Sequence, residues 1–190
     1  MPSTRGYFLN VRNLLWLFVA LLLSQHTWAL PATLEALSLN DSTKLSINLK
    51  DGKTKVFIFL SAKCPCSGSH EPLVAELSKQ FSEFSFWGIH SNFDEASEFA
   101  KDHFAASRLP FPIIQDKNAR IADEFNALKT PHAFIVDGQG EIIFSGGVTN
   151  SSLVSRSTKP FLKTALASTR DGKPPDPREA RALGCVIARP

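Results

Sequence analysis

Residues 55–61 read Lys-Val-Phe-Ile-Phe-Leu-Ser, with five consecutive apolar positions and no polar break among them. A strand with one face in water alternates, so an unbroken run of β-formers belongs to a strand covered on both faces. Covering both faces takes a layer of chain on each side, and therefore a domain of reasonable size. The chain supplies it: 190 residues, 43% hydrophobic and 21% charged, enough for one domain with a sizeable core. Fifteen Phe exclude a disordered chain, and three Cys exclude a disulfide-stapled mini-protein.

The segments around that run alternate between strand and helix patterns. Leu39 to Leu49 alternates at Leu45, Ile47 and Leu49, as an edge strand or hairpin ended by Asp51-Gly52 would. Leu73, Leu77 and Phe81 recur at helical spacing, Ser85 to His90 reads as a second central strand, and Asp94 to Ala106 as a helix capped by Asp94. A short strand over Phe111 to Gln115, a short helix over Asn118 to Asn126 and a strand over Ala133 to Val136 follow. The turn Asp137-Gly138-Gln139-Gly140 then leads to a hairpin partner over Glu141 to Ser145. A last helix carries Phe161, Leu162, Ala165 and Leu166. Strand–helix alternation closing on a hairpin and a helix predicts an α/β sandwich built on one mixed sheet.

The N-terminus predicts an address rather than structure. Arg5 and Arg12 precede the ten-residue apolar run Leu14 to Leu23, and Thr27-Trp28-Ala29 ends the segment with small residues at the −3 and −1 positions. That is the pattern of a secretory signal cut after Ala29. As a helix the run rises only about 15 Å against a bilayer core of roughly 30 Å, so an uncleaved anchor is the weaker reading. Without those two arginines the 21 basic side chains fall to 19 against 18 acidic ones, a balance of +1. No basic stripe remains, and nothing points to nucleic acid or an anionic membrane surface. The expected organisation is a signal over 1–29, an N-terminal extension with an edge strand over 30–50, the main domain over 51–169, and a flexible tail over 170–190. Export places the three cysteines in a disulfide-permissive compartment.

The chemistry sits where the buried strand ends. In Ala62-Lys63-Cys64-Pro65-Cys66-Ser67-Gly68, Cys64 comes at the start of a helix, facing unpaired backbone N–H groups that favour thiolate over thiol. Lys63 adds positive charge beside it. A thiolate so placed attacks a disulfide or a peroxide.

From Lys55 to about Leu166 the chain resembles the thioredoxin-like superfamily, in its redoxin and peroxiredoxin-related (AhpC/TSA-like) branch. Three features carry the resemblance: Cys64 directly after the strand with Pro72 eight residues on; Thr130-Pro131 before the strand starting at His132; and the Asp137 to Ile143 hairpin followed by Gly146-Gly147. The resemblance implies a three-layer α/β/α sandwich and a cis Pro131 that presents the Thr130 backbone beside the reactive sulfur. The departures are equally specific. The usual partner cysteine, three residues after the first, is Ser67, and the second cysteine stands at Cys66. The carboxylate that many thioredoxins bury six residues before the first cysteine is Ile58. Of the peroxiredoxin pattern, Ser61 matches the Thr/Ser three residues before the cysteine, but the expected proline is Phe57.

Two sulfurs compete to resolve Cys64. A Cys64–Cys66 bond closes a small ring that conflicts with relaxed disulfide geometry. Cys185, in Gly184-Cys185-Val186-Ile187 after a proline-rich link, can fold back over the site. The expected activity is therefore an exported thiol–disulfide oxidoreductase. Cys64 attacks, Cys66 or Cys185 resolves, and Lys63, Thr130 and Pro131 assist. Its partners are protein thiols or disulfides, or peroxide, together with a thiol electron donor. A thiol peroxidase is the second enzymatic reading. The third is a copper-binding module using Cys64, Cys66 and His70, with His90 or His132 as alternative histidines; otherwise no cofactor is expected.

Overall fold

The computed structural model describes residues 30–190, so the expected signal lies outside the described residues. The strands are β1 (Thr33–Ser38), β2 (Lys44–Asn48), β3 (Lys55–Leu60), β4 (Ser85–His90), β5 (Ile113–Gln115), β6 (Lys129–Thr130), β7 (His132–Val136), β8 (Ile142–Gly146) and β9 (Cys185–Val186). The α-helices are α1 (Pro65–Gln80), α2 (Ser97–Ser107), α3 (Arg120–Glu124) and α4 (Phe161–Arg170). Seven strands form one mixed sheet in the order β2-β1-β5-β4-β3-β7-β8, and β6 and β9 form a separate two-stranded ribbon. The architecture is the expected α/β sandwich.

All six residues of β3 are buried, and its alternation divides the core. Val56, Ile58 and Leu60 point to one face, among Val74 and Leu77 of α1, Phe104 of α2 and Leu162 and Leu166 of α4. Phe57 and Phe59 point to the other face, where Phe125 and Phe134 complete an aromatic cluster with ring centroids 5.2–5.7 Å apart, packed edge to face. Such pairs add about 0.5–1.5 kcal/mol beyond the apolar area they bury. The two crossovers β3-α1-β4 and β4-α2-β5 advance in the same direction across a parallel ladder. Right-handed connections then put α1 and α2 on the same face.

Three expectations are corrected. First, the extension over 30–50 carries, besides the edge strand β2, a strand that the alternation did not reveal: β1 pairs with both β2 and β5, and Leu34 is fully buried opposite Ile47. Second, α2 starts at Ser97 with Ala96 as its N-cap, so Asp94 caps nothing and Phe99 is exposed. Third, residues 171–190 run as a strap held along the molecule. Arg178 and Ala180 bond Ser145 of β8, and Ile187 donates its N–H to the Leu128 carbonyl while its side chain is buried in the core.

Candidate active site

Cys64 is the N-cap of α1, with extended backbone (φ −81°, ψ 115°) and Pro65 at the first helical position. Proline has no N–H to lose there and arrives with its φ already helical. The first intrahelical bond runs from Gly68 N–H to the Cys64 carbonyl at 3.0 Å, so the amides before it face outward unpaired by the helix.

The parallel register of β3 and β4 pairs Leu60 with His90, which sets the segment 61–64 beside the segment 91–95. A buried carboxylate fills the space between them. Glu95 Oε1 accepts from Ser61 Oγ at 2.5 Å and Asn92 Nδ2 at 2.6 Å; its Oε2 accepts from Ala62 N–H at 2.8 Å and lies 3.1 Å from His90 Nε2. Ser61 Oγ in turn accepts the Cys64 N–H at 3.0 Å. Burial pushes the Glu95 carboxyl up, but the hydrogen bonds from His90, Ser61, Asn92 and Ala62 outweigh it and hold it at about 2. The site thus rests on a fixed anion that no local motif predicts: Glu95 sits in a loop, and its partners come from two different strand ends.

The strap brings the second sulfur. β9 pairs antiparallel with β6, setting Cys185 opposite Thr130. The Thr130–Pro131 peptide is cis, and the Thr130 carbonyl oxygen stands 3.3 Å from Cys64 Sγ. Cys64 and Cys185 are joined as a disulfide with their Cα atoms 6.0 Å apart, 121 residues apart in sequence. Cys66 is free and half-buried. Of the two resolvers left open by the sequence, the bonded one is Cys185. Beyond the ribbon the strap is tied to the same loop that carries Glu95: Phe93 N–H bonds the Ala188 carbonyl at 3.0 Å, and Ala188 N–H bonds Asn92 Oδ1 at 3.3 Å.

Lys63 lines a small cleft over the disulfide, with its ammonium donating to the Asp94 carbonyl at 2.7 Å. His70 is not positioned as a ligand. Its Nδ1 lies 2.7 Å from the Cys66 carbonyl, which only accepts, so that nitrogen carries the proton; Nε2 faces Thr149 Oγ1 at 2.9 Å. Burial lowers its pKa, opposed by the bond to Cys66, and the ring serves to tie α1 to the loop after β8. His90, fully buried, is spent on Glu95 and Gln115.

His132 follows the cis proline with Nε2 3.1 Å from Ser145 Oγ and Nδ1 buried without a partner. Burial lowers its pKa to about 4. The unfolded chain takes up this proton near pH 6.5, so the folded state binds fewer protons between pH 6.5 and 4. Stability is full above that window and falls as the pH drops through it, by about 3 kcal/mol. Urea unfolding of the wild type and of His132→Gln from pH 7.5 to 4.5 checks this. The variant is expected to lose much of the slope and keep the share due to His70; equal slopes would dismiss the assignment.

The residues 29–145 match the model of the AhpC/TSA family. Among curated proteins none matches the chain. An uncharacterized conserved protein from Geobacillus kaustophilus superposes with a TM-score of 0.75 at 20% identity, over 85% of this chain and 90% of that one. A putative thiol:disulfide interchange protein DsbE from Chlorobium tepidum gives 0.58 at 14% identity, over 76% and 94%. A secreted Mycobacterium tuberculosis disulfide oxidoreductase homologous to E. coli DsbE gives 0.52 at 17% identity, over 57% and 79%. These likenesses share the thioredoxin-like fold, and among the described residues no helix is long and apolar enough to cross a membrane. The family match spans well over half of the chain and includes the strand, the Cys64 helix start and the cis-proline loop, so this chain belongs to the AhpC/TSA family and is an oxidoreductase of the thioredoxin-like kind.

Proposed function

We propose that the protein is an exported thiol–disulfide oxidoreductase whose redox couple is Cys64 with Cys185. The observation that carries this reading is the disulfide joining the start of α1 to the strap, beside the Thr130–Pro131 loop. In the reduced protein the Cys64 thiol gives its proton to solvent, and its sulfur attacks one sulfur of a substrate disulfide. A mixed disulfide forms and one substrate thiolate leaves. Cys185, as thiolate, then attacks Cys64 Sγ; the Cys64–Cys185 bond forms and the second substrate thiolate leaves. Two electrons pass from protein to substrate, and an external thiol donor restores the dithiol by the reverse exchange.

The surroundings set the balance of that couple. Unpaired amides of α1 favour the Cys64 thiolate. The Thr130 carbonyl and the Glu95 carboxylate oppose it, since one accepts a bond from the S–H form and the other is a fixed negative charge. A couple held between these pulls suits donation of electrons better than strong oxidation. Export is supported by the N-terminal charge and hydropathy pattern and by the secreted character of a fold relative.

The deciding assay follows reduction of a protein disulfide by a thiol donor, with a parallel arm supplying hydrogen peroxide instead. Wild type is expected to accelerate the first, and Cys64→Ser to fall to background. Peroxide consumption that outpaces disulfide reduction would assign a thiol peroxidase in its place.

The seat of Cys185 depends on its neighbour. A Cβ added to Gly184 would run into the Thr130 carbonyl group. Overpacking against backbone costs about 1–3 kcal/mol, and here it acts on the ribbon that presents Cys185. Gly184→Ala is expected to make the disulfide easier to reduce, raising its midpoint potential by roughly 20–60 mV. Equilibration in glutathione buffers with mass readout measures it; an unmoved midpoint would mean the ribbon does not hold the sulfur in place.

A further inference from the structure

Cys66 takes no part in the Cys64–Cys185 bond, yet the three sulfurs all lie within 4.8 Å of one another. We propose that the reduced protein binds one Cu(I) ion through Cys64, Cys66 and Cys185, and that closing the Cys64–Cys185 disulfide releases it. Two of the donors are held on the rigid start of α1, separated only by Pro65; the third comes from the strap pinned at Leu128, Asn92 and Phe93. Metal–thiolate bonds of about 2.3 Å put three sulfurs about 4 Å apart around a trigonal ion. Reduction frees Cys64 and Cys185 to separate toward that spacing, and Cys66 Sγ lies within 4.8 Å of both.

The donor set selects the ion. Three thiolates suit a soft cation, and Cu(I) is stable with three ligands, whereas a structural zinc site takes four. Among the described residues no His, Asp or Glu atom joins the cluster. The nearest chemical candidates are committed elsewhere: His70 by both ring nitrogens, Glu95 by four hydrogen bonds. Cys66 and Cys185 are only half-buried residues, and the small cleft lined by Cys64 and Cys185 gives the ion a way in. Binding displaces three thiol protons. If a substrate disulfide then takes two electrons from Cys64 and Cys185, two ligands are lost to the new S–S bond and the ion departs as Cu(I), its own charge unchanged.

The gating half of this inference rests on the proposed redox couple; the binding half does not. The test is anaerobic titration of the fully reduced chain with Cu(I) in competition with a chromogenic Cu(I) chelator. Expected are a 1:1 complex for wild type, an affinity at least about 100-fold lower for Cys66→Ser, and no withdrawal of Cu(I) by the oxidised protein. Mass mapping of Cys66→Ser after oxidation, with the Cys64–Cys185 bond present, shows that the variant is folded. Reduced wild type that leaves Cu(I) with the chelator, or a Cys66→Ser variant that competes as well as wild type, overturns the proposal. Disulfide reduction measured on the same samples separates the two readings. Activity without metal binding sinks only the copper site, and metal binding without activity sinks only the oxidoreductase mechanism.

Discussion

Replacing Cys185 with serine is expected to stall the protein as a mixed disulfide with its substrate. Cys64 still attacks, but the intramolecular thiol that would release the substrate is gone, and resolution must wait for a thiol from solution. Losing a tethered, oriented nucleophile costs at least about 100-fold in turnover. Cys66 does not rescue the variant, because bonding a cysteine two residues away on the same first helical turn works against disulfide geometry. A non-reducing gel with a disulfide-containing substrate should show a covalent adduct that vanishes with dithiothreitol, and steady-state turnover should fall accordingly. Turnover within a few-fold of wild type would make Cys66 the resolver and remove Cys185 from the mechanism.

The second large effect concerns stability. The Cys64–Cys185 bond closes a loop of 121 residues, and in the chain-entropy model a loop of that length stabilises the fold by about 5 kcal/mol. Reduction is expected to lower the melting temperature by about 10–20 °C, taking a shift of 2–4 °C per kcal/mol for a chain of this size. The double variant Cys64→Ser, Cys185→Ser should melt like the reduced wild type and ignore added reductant. A reduced protein that melts within a degree or two of the oxidised one would mean that the strap holds its place without the bond, through Ile187 and the Arg189 contacts with Asp123 and Ala127. Together the two experiments separate the chemical use of Cys185 from its structural use.

What could be read from the chain tracks how locally each feature is encoded. β3 was legible because a strand buried on both faces must be apolar throughout, and α1 because Leu73, Leu77 and Phe81 repeat on one helical stripe. β1 was missed because Leu34 is its only fully buried residue. The start of α2 was misplaced because Asp94 is a good capping residue by type, while the loop turns Glu95 inward and delays the helix to Ser97.

Local pattern by itself determined the sandwich, the order of its central strands and main helices from β3 to α4, and the position of Cys64 at a helix start. Each of those follows from periodicity and from residue types adjacent in sequence. Tertiary structure alone decided that Cys185 rather than Cys66 bonds Cys64, that His70 is spent on a backbone carbonyl and a threonine, and that Glu95 lies under the site. The first and last of those outcomes depend on which strand ends meet: the Leu60–His90 register brings Glu95 to Ser61, and the Thr130–Cys185 pairing carries the strap to the sulfur. Strand register is a property of the assembled sheet, set by the packing of both its faces at once, and no stretch of neighbouring residues contains it.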